Sequence, residues 1–239
     1  MKKNHYIKLS IIIPCYNEKR YIKKIVQRII KEKINCEILI IDDFSNDGSK
    51  EIISKLDSPL ISKKIFHNKN CGKGEAIISA LKFVKGDAVL IQDADLEYNP
   101  KDIKKMIDYI NKNNCSAIYG SRFLHKNYSQ LCNIFPGKLR IYGNYILTKI
   151  SNILNKQSLS DAHTCYKMIS TNVLKNLRLC EKGFSFCTEV NTKLSNRNIK
   201  IFEVPISYKG RDYSGGKKIK TRDFFYAIWT IIYYKFKNL

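Results

Sequence analysis

Short apolar runs alternate along the chain with longer segments in which apolar residues recur every three or four positions. The runs have the length of strands and are rich in β-branched residues; they cover residues 9–13, 37–41, 64–67, 88–92 and 117–119. The segments between them have helical spacing and cover residues 21–33, 50–56, 75–85 and 101–112. Buried strands separated by amphipathic helices predict an α/β fold with an open, mainly parallel sheet and helices on both faces.

The C-terminal third of the chain is less regular and elaborates this pattern. Residues 141–154 and 187–196 are predicted helices, and residues 200–204 are a predicted strand. Residues 224–236 are rich in Phe, Tyr and Trp, a composition that suits a bilayer interface as well as a helix docked on the core. We expect a mixture, with one face packed and the other exposed to water or lipid. The longest uncharged apolar stretch, 224–234, falls well short of the ~20 residues of a spanning helix.

In an open parallel sheet, ligands bind beyond the carboxyl ends of the strands. At these ends the apolar runs give way to polar, acidic or glycine-rich segments, at residues 14–18, 42–45, 68–74, 93–95 and 120–122. Because the carboxyl ends of parallel strands meet at one edge, we expect all five segments to converge there. This edge is the predicted active site.

Asp93 and Asp95 follow the fourth apolar run with one residue between them. At that spacing two carboxylates face the same way, and they repel each other unless a cation or a proton intervenes. Oxygen ligands suit Mg²⁺ or Mn²⁺, and Glu97 offers a third carboxylate. An Asp-x-Asp pair also occurs at ordinary surfaces and helix caps, so the predicted metal site depends on its place at the ligand edge.

The second strand ends in Asp42 and Asp43, whose oxygens are acceptors for a nucleotide base or a ribose hydroxyl. Ser45 and Asp47 are both good caps for the helix that follows, so we expect one of them to cap it while one of the adjacent aspartates binds ligand. Lys73 lies between two glycines just before a helix. That arrangement brings backbone and a cation close to a phosphate, and the glycines suit a simple turn equally well.

Composition adds an electrostatic constraint. The 43 Lys and Arg residues against 21 Asp and Glu give a formal charge of +22, which favours polyanions such as nucleic acid, an anionic membrane face or phosphorylated substrates. Candidates for phosphate contacts are the basic residues in glycine- or aromatic-containing contexts: Arg122, Arg140, Arg211, Lys217 and Lys218. The segment 211–218 has the composition of a mobile loop able to close over phosphates.

The cysteines and the N-terminus bear on location. The eight cysteines show neither a C-x-x-C pair nor histidine spacing, a pattern typical of reduced thiols in the cytosol. The first ten residues lack the apolar core of a signal peptide, so we expect no export. The sequence therefore predicts a cytoplasmic protein whose membrane contact is peripheral.

Four segments together resemble family 2 glycosyltransferases of the GT-A fold: PCYNE at 14–18, DDFSNDG at 42–48, NCGKG at 70–74 and QDADLEY at 92–98. Later segments are similar to the branch that contains dolichyl- and polyprenyl-phosphate sugar synthases: GSR at 120–122, DAHTCYK at 161–167, GF at 183–184 with Glu189, and EVPISY at 203–208. The likeness extends over nearly the whole chain.

The resemblance implies roles for residues that match the family's motifs. It implies that the nucleotide site is lined by Pro14, Tyr16, Glu18 and Asp43, to which Asp42, Lys73 and Asp93 add the contacts described above. It implies that the divalent cation, Mg²⁺ or Mn²⁺, is held by Asp93, Asp95 and Glu97. It also implies that phosphates of the donor or acceptor meet Arg122, Arg140, Arg211 and Lys218, with Ser214 and Lys217 in the same loop.

This chain departs from the family pattern in two places. Family members often have Gln where this chain has Glu97, and the loop carries an extra glycine next to Ser214. On this basis we predict a single glycosyltransferase domain over residues 1–239. Its nucleotide-sugar-binding half covers residues 1–122, and its acceptor-binding half covers residues 123–239 and includes the segments that associate with a membrane surface.

The expected reaction is an inverting transfer of a sugar from a nucleotide-diphosphate donor to a polyprenyl phosphate, at an anionic membrane surface on the cytoplasmic side. A lipid phosphate is already ionised, so Arg122, Arg140 and Arg211 need only position it beside Asp95. A glycan hydroxyl, the alternative acceptor, would need a carboxylate base, for which Asp161 and Glu189 are the candidates.

Two other functions compete with this one. A sugar nucleotidyltransferase also uses an α/β sheet with acidic metal ligands, but it would want a glycine-rich loop after the first strand, where this chain has residues 14–18. A basic nucleic-acid-binding module would suit the charge of +22, but its target would be repelled by the acidic cluster, and no nucleic-acid motif is visible. We therefore expect no nucleic-acid partner.

Overall fold

The computed structural model describes residues 7–125, 138–211 and 221–237, with the backbone alone at 138–140 and 221–222. Within these residues, seven strands form one sheet in the order β3-β2-β1-β4-β6-β5-β7. Their bounds are β1 (Leu9–Cys15), β2 (Cys36–Asp42), β3 (Ile61–Phe66), β4 (Ala88–Ile91), β5 (Ala117–Ser121), β6 (Lys167–Ser170) and β7 (Phe202–Pro205). All pairings are parallel except those that β6 makes, which confirms the predicted α/β fold with a mainly parallel sheet.

Helices connect these strands and flank them. Their bounds are α1 (Ile22–Lys31), α2 (Ser49–Lys55), α3 (Lys73–Leu81), α4 (Asp102–Asn113), α5 (Lys138–Asn155), α6 (Thr171–Asn176), α7 (Phe186–Asn196) and α8 (Thr221–Phe236). Apolar spacing explains how they pack: α1 buries Ile22, Ile25, Val26 and Ile29 on one side. Its Lys and Arg residues remain on the other side.

The sheet separates two apolar cores, as the sequence predicted. Along β1, Ile11 and Ile13 face a core that includes α1, α2 and α4, whereas Ile12 faces a core that includes α3, α6 and α7. Successive residues of a strand point to opposite faces, so a strand with helices on both sides must be apolar throughout. The two layers of helices hold the carboxyl ends of the strands in place as one edge.

Strand β6 was not predicted, and it runs antiparallel between β4 and β5. Its first residue, Lys167, is fully buried, and a lysine there made the segment look polar and exposed in the sequence. The Lys167 Nζ donates to the Ala162 carbonyl at 3.0 Å and lies 3.6 Å from the centre of the Tyr119 ring. Those partners compensate the burial of the charge, and only the tertiary structure supplies them.

The C-terminal helix α8 has the two-sided character expected for it. Ala227, Ile231 and Tyr234 are buried against the body of the protein. Large apolar side chains on the rest of the helix are exposed, including Phe225, whose exposed fraction is 67%, and Trp229. Among the helices in the described ranges, none has both the length and the apolar character needed to cross a bilayer.

Candidate active site

A cavity of about 680 Å³ lies at the carboxyl ends of the strands. Every one of the five predicted strand-end segments contributes to its wall, through residues that include Pro14, Tyr16, Glu18, Asp43, Lys73, Asp93, Asp95, Glu97 and Arg122. The expectation that these segments converge on one edge is therefore confirmed. Helices α5 and α8 close the other side of the cavity, through residues such as Leu147 and Ala227.

Four carboxylates form an acidic corner of this cavity, which we define as Glu18, Asp93, Asp95 and Glu97. The Lys73 ammonium contacts Asp93 directly. The Arg211 guanidinium contacts the other three: Nη1 lies 3.0 Å from Glu18 Oε2, Nη2 lies 2.9 Å from Asp95 Oδ2, and Nε lies 3.3 Å from Glu97 Oε1. Residues separated by nearly the length of the chain thus meet in one ionic cluster.

The acidic corner has more negative than positive charge. Within the ranges that the structure describes, its four carboxylates face two cations, Lys73 and Arg211, which leaves a formal excess of two negative charges. Burial raises the pKa of Asp95 to about 7, and the charges of Asp93 and Glu97 add to this effect while that of Arg211 opposes it. A divalent cation with oxygen ligands would balance this excess, so the corner fits Mg²⁺ or Mn²⁺.

Glu97 is held from several directions. The Tyr208 hydroxyl donates to its Oε2, and the Arg211 backbone N–H donates to its Oε1 at 2.8 Å. The Tyr208 ring in turn lies 5.1 Å from the Arg122 guanidinium carbon. Tyr208 follows β7, the last strand in chain order. The C-terminal region of the chain therefore fixes one side of the acidic corner.

Arg122 lines the cavity but is tied to Asp161 beneath it. Its Nε and Nη2 donate to the two Asp161 oxygens at 2.7 and 2.8 Å, and its backbone N–H donates at 3.1 Å. The exposed fractions of the two side chains are 7% and 0%. Burial alone would raise the pKa of Asp161, but the Arg122 charge and hydrogen bonds outweigh it and hold that pKa below its usual value.

Asp161 and Glu189, the two carboxylates that the sequence offers as a base for an acceptor hydroxyl, both contact other groups in the structure. Asp161 is buried and fully engaged by Arg122, and it is not part of the cavity wall. Glu189 is also buried, and its oxygens accept from the backbone N–H groups of Cys180 and Glu181 and from the Lys193 ammonium. Both carboxylates hold neighbouring chain segments together.

Of the two adjacent aspartates, Asp43 reaches the cavity and Asp42 does not. Asp42 is buried, with Oδ2 accepting from the Ser45 N–H at 3.1 Å and Oδ1 without a hydrogen-bond partner among the residues that the structure describes. The N-cap position of α2 is Gly48, and Asp47 before it accepts through Oδ1 from the N–H of Ser49, the first residue of α2, at 2.9 Å. Asp47 thus contacts the start of α2, whereas Asp43 is the member of the adjacent pair that lines the cavity.

Asp43 organises the loop after β3. Its Oδ1 pairs with His67 Nδ1 at 2.8 Å, and its two oxygens accept from the N–H groups of Cys71 and Gly72 at 2.9 and 2.8 Å. Ligand atoms of Asp43, His67 and Cys71 lie within 4.8 Å of one another, as in a metal site. However, His67 Nε2 also pairs with the Ser79 hydroxyl, so hydrogen bonds already occupy both imidazole nitrogens.

The glycines on either side of Lys73 lie where another segment of the chain packs closely against them. A Cβ at Gly72 would lie 2.5 Å from the Lys182 carbonyl oxygen, and one at Gly74 would overlap the Glu181 carbonyl. Gly72 also has a φ of 95°, which other residues rarely adopt. Close approach of the 181–183 segment thus explains both glycines, and it fixes Lys73 between Asp93 and the Cys165 sulfur, which is 2.9 Å from Nζ.

Three cavity residues that sequence reasoning did not single out are His163, Cys165 and Cys187. Burial lowers the pKa of His163 to about 4, and its Nε2 has no hydrogen-bond partner in the part of the chain that the structure describes. A hydrogen bond between the two thiols lowers the pKa of Cys187 to about 6 and raises that of Cys165. His163 and Cys165 belong to the DAHTCYK segment, whose polar residues just before β6 were the available signal.

Several predicted phosphate-binding residues lie outside the described residues. Ser214, Lys217 and Lys218 fall between the last described loop and α8, and the side chain of Arg140 is likewise outside the description. Their proposed roles stay predictions. Among the described basic residues with a predicted phosphate contact, three line the cavity: Lys73, Arg122 and Arg211.

Comparison with known proteins agrees with this geometry. The profile described as Glycosyl transferase family 2 matches residues 10–178, which include the first six strands and most of the cavity wall. The chain belongs to glycosyl transferase family 2. It is accordingly a glycosyltransferase, and the strand-end motifs identified in the sequence are those of this family.

Two curated relatives of this family 2 glycosyltransferase carry dolichol phosphate or dolichyl phosphate in their names. The chain is 29% identical over 225 residues to the dolichol-phosphate mannosyltransferase of Pyrococcus furiosus, covering 92% of this chain and 61% of the relative. It is 29% identical over 224 residues to the UDP-N-acetylglucosamine–dolichyl-phosphate N-acetylglucosaminyltransferase of Methanococcus voltae, covering 86% and 87%. A third relative, the hexosyltransferase Agl6 of Haloferax volcanii, is 24% identical over 211 residues, covering 85% and 48%. The chain thus spans about half to three fifths of two of these proteins.

Solved structures share the fold of this family 2 glycosyltransferase. Glucosyl-3-phosphoglycerate synthase from Mycobacterium tuberculosis, crystallised with Mn²⁺, UDP and phosphoglyceric acid, aligns with a TM-score of 0.70 at 14% identity, over 95% of this chain and 77% of that one. Mannosyl-3-phosphoglycerate synthase from Rubrobacter xylanophilus aligns with a TM-score of 0.67 at 14% identity, over 98% and 74%. At such low identity the likeness concerns the fold alone, and it is the expected GT-A fold.

Proposed function

We propose that this glycosyltransferase moves a sugar from a nucleotide-diphosphate donor to a polyprenyl phosphate, with Mg²⁺ or Mn²⁺ as cofactor and with inversion at the anomeric carbon. The observation that carries the proposal is the acidic corner, whose excess of two negative charges lies beside Arg122 in one cavity. Carboxylates of this kind hold a cation, while a neighbouring arginine binds phosphate. The dolichyl-phosphate acceptors named for two relatives support the same choice.

In this proposal the donor lies against the cavity residues that come from the first half of the chain. Pro14, Tyr16 and Asp43 border the nucleoside, and Glu18 and Lys73 border its diphosphate. Asp93, Asp95 and Glu97 would hold the divalent ion, which when bound would supply positive charge to the leaving diphosphate. These roles are supported by the presence of all these residues in the cavity wall and by the charge each carries.

The acceptor needs little chemical activation. An anionic phosphate oxygen attacks the anomeric carbon and forms the new C–O bond, while the bond from that carbon to the donor diphosphate breaks and the nucleoside diphosphate departs. No proton has to be removed from the acceptor, which suits a site where Asp161 and Glu189 are committed to other contacts. Arg122 orients the acceptor phosphate because its planar guanidinium can contact Asp161 and a phosphate together.

The test combines binding and turnover. A thermal-shift panel of UDP-, GDP- and dTDP-sugars with Mn²⁺ should identify one donor, because a ligand at about 100 times its dissociation constant adds about 2.7 kcal/mol to folded-state stability. Transfer of the labelled sugar from that donor to undecaprenyl or dolichyl phosphate should then require a divalent ion. A protein that binds no sugar nucleotide and transfers to no lipid phosphate would refute the proposal.

The proposal includes a peripheral position on the cytoplasmic face of an anionic membrane. Helices α5 and α8 line the cavity on one side, and on the other they expose Tyr145, Ile146, Phe225 and Trp229. Aromatic side chains of this type settle at the lipid–water interface, and the net charge of +22 attracts anionic headgroups. A lipid phosphate would then meet the enzyme next to its cavity.

Membrane association has its own experiment. Replacing Phe225 and Trp229 by Ser should weaken binding to vesicles containing phosphatidylglycerol, measured by co-sedimentation. The matched control is Phe44→Ser, which removes an exposed aromatic side chain near the end of β2. Equal vesicle binding by the wild type and the Phe225/Trp229 variant would reject this surface.

A second acceptor class, a glycan hydroxyl, is favoured by one observation. His163 borders the cavity with a pKa lowered to about 4 by burial, so its imidazole is neutral at physiological pH and has the form of a base. If a hydroxyl is the acceptor, His163→Ala should abolish transfer to a glycan, with donor binding retained. Transfer to polyprenyl phosphate that survives His163→Ala would favour the lipid phosphate.

A further inference from the structure

The Arg211 side chain occupies the part of the acidic corner where a cation is expected. Its guanidinium lies 2.9 Å from Asp95 and 3.3 Å from Glu97, two of the three carboxylates assigned to the divalent ion. The guanidinium also contacts Glu18 through two nitrogens, because Nη2 lies 3.1 Å from Glu18 Oε1 in addition to the contact that Nη1 makes. The exposed fraction of the Arg211 side chain is 20%, so these are contacts at a cavity wall and not in open solvent.

We propose that Arg211 and the divalent ion are alternative occupants of Asp95 and Glu97, and that the donor diphosphate drives the exchange by offering the guanidinium a new anionic partner. The inference rests on the proposed function and adds to it a specific role for Arg211. The residue keeps the carboxylates paired in the free protein and makes metal binding depend on the nucleotide.

Charge is the first reason for this exchange. Counting only the described side chains, the corner has an excess of two negative charges with both Lys73 and Arg211 in place, and removing Arg211 adds one more negative charge to that excess. Arg211 therefore weakens the attraction of the corner for a cation while it stays there. A divalent ion and a guanidinium that share two half-buried carboxylates would also repel each other strongly.

Geometry is the second reason. The oxygens that Arg211 contacts, Asp95 Oδ2 and Glu97 Oε1, are lone-pair donors that a metal would need. The same residue lines the cavity, so a diphosphate bound beside the corner comes within reach of its side chain. A guanidinium binds phosphate oxygens in the same two-pronged way as carboxylates, so the loss of one partner is offset by the other.

The consequence is a coupling between two ligands. If nucleoside diphosphate releases Arg211 from the carboxylates, it must raise the affinity for metal, and the metal must raise the affinity for nucleotide by the same factor. Removing Arg211 should therefore tighten the binding of metal alone and reduce the coupling. A residue that acts only as a phosphate contact would leave the affinity for metal alone unchanged.

The experiment measures free Mn²⁺ by electron paramagnetic resonance during titration of the full chain, with and without saturating UDP or GDP. For Arg211→Ala, Mn²⁺ without nucleotide should bind about tenfold more tightly than to the wild type, and the enhancement by nucleotide should fall by a similar factor. Arg211→Lys should give a smaller change in the same direction, since an ammonium contacts fewer carboxylates at once. It also provides a second variant should Arg211→Ala fold poorly, which thermal unfolding would reveal.

The matched control is Lys209→Ala, which removes an exposed cation from the same loop, two residues away. It should bind Mn²⁺ like the wild type in both conditions. Mn²⁺ affinity of Arg211→Ala equal to that of the wild type without nucleotide would overturn the inference, even if transfer activity is lost. A wild type that binds neither Mn²⁺ nor a nucleoside diphosphate would instead overturn the proposed function itself.

Discussion

Two ionic clusters lie a short distance apart in this glycosyltransferase, and they differ in balance and burial. The acidic corner places four carboxylates against two cations at a cavity wall, with side-chain exposures of up to 20%. The Arg122–Asp161 pair places one carboxylate against one cation, with exposures of 7% and 0%. Tyr208 joins the clusters, because its hydroxyl contacts Glu97 and its ring packs near Arg122.

The difference shows how the same chemical groups serve binding in one place and folding in another. An unbalanced cluster at a cavity lowers its energy when a cation arrives, so its contacts are suited to exchange. A balanced, buried pair is strongly destabilised when one partner is removed, so the Arg122–Asp161 contact supports the fold even though Arg122 is also proposed to reach the acceptor phosphate.

Arg122→Met should destabilise the protein by about 3 to 5 kcal/mol, because it leaves the Asp161 carboxylate buried without its partner. Urea denaturation measures the change in the free energy of unfolding. As a control, Lys182→Met breaks a pair with Glu75 whose side chains are 72% and 29% exposed, and it should cost less than about 1 kcal/mol. An equal loss in both variants would remove the distinction between buried and exposed pairs.

Asp95→Asn should lower sugar transfer at least about 100-fold at saturating Mn²⁺ and leave the fold intact, since metal ligation contributes several kcal/mol to the transition state. A transfer assay with labelled donor and a thermal melt together test this. The comparison variant is Asp57→Asn, an exposed carboxylate between α2 and β3 that should keep full activity. Retained activity in Asp95→Asn would contradict the assignment of a metal site.

The stabilisation from Asp161 should depend on pH with a definite sign. Its folded-state pKa is below the usual value near 3.8, so its contribution is complete above that value and is lost as the pH falls through the folded-state pKa. The stability advantage of the wild type over Asp161→Asn should therefore be constant near neutral pH and shrink in acid. Denaturation of both proteins across that range checks it, and an advantage that grows in acid would be the wrong sign.

Glu97→Gln should change the free energy of unfolding by no more than about 1 kcal/mol, because Arg211 keeps its contacts with Glu18 and Asp95 and solvent screens the cluster. The same urea series measures it. A loss as large as that of Arg122→Met would mean that the acidic corner holds the fold together.

The sequence determined the architecture and the place of the site. Apolar runs such as β1 are buried on both faces, a pattern that only a sheet between two layers of helices satisfies, and parallel strands end at one edge. The polar segments after these strands therefore had to meet. Strand β6 was not predicted because its first residue, Lys167, is a buried lysine. Folding brings the Ala162 carbonyl and the Asn191 side chain to its ammonium, and these acceptors compensate the burial of the charge.

Only the tertiary structure decided which of the converging groups are paired. Asp161 and Asp95 are the same residue type. However, Asp161 is buried in an ion pair with Arg122, whereas Asp95 lies in a cluster with excess negative charge. Likewise, the glycines beside Lys73 make room for the 181–183 segment, which is more than a hundred residues away in the chain. Local pattern fixes where a side chain lies on its strand or helix, whereas its partners and its pKa come from segments that only folding brings together.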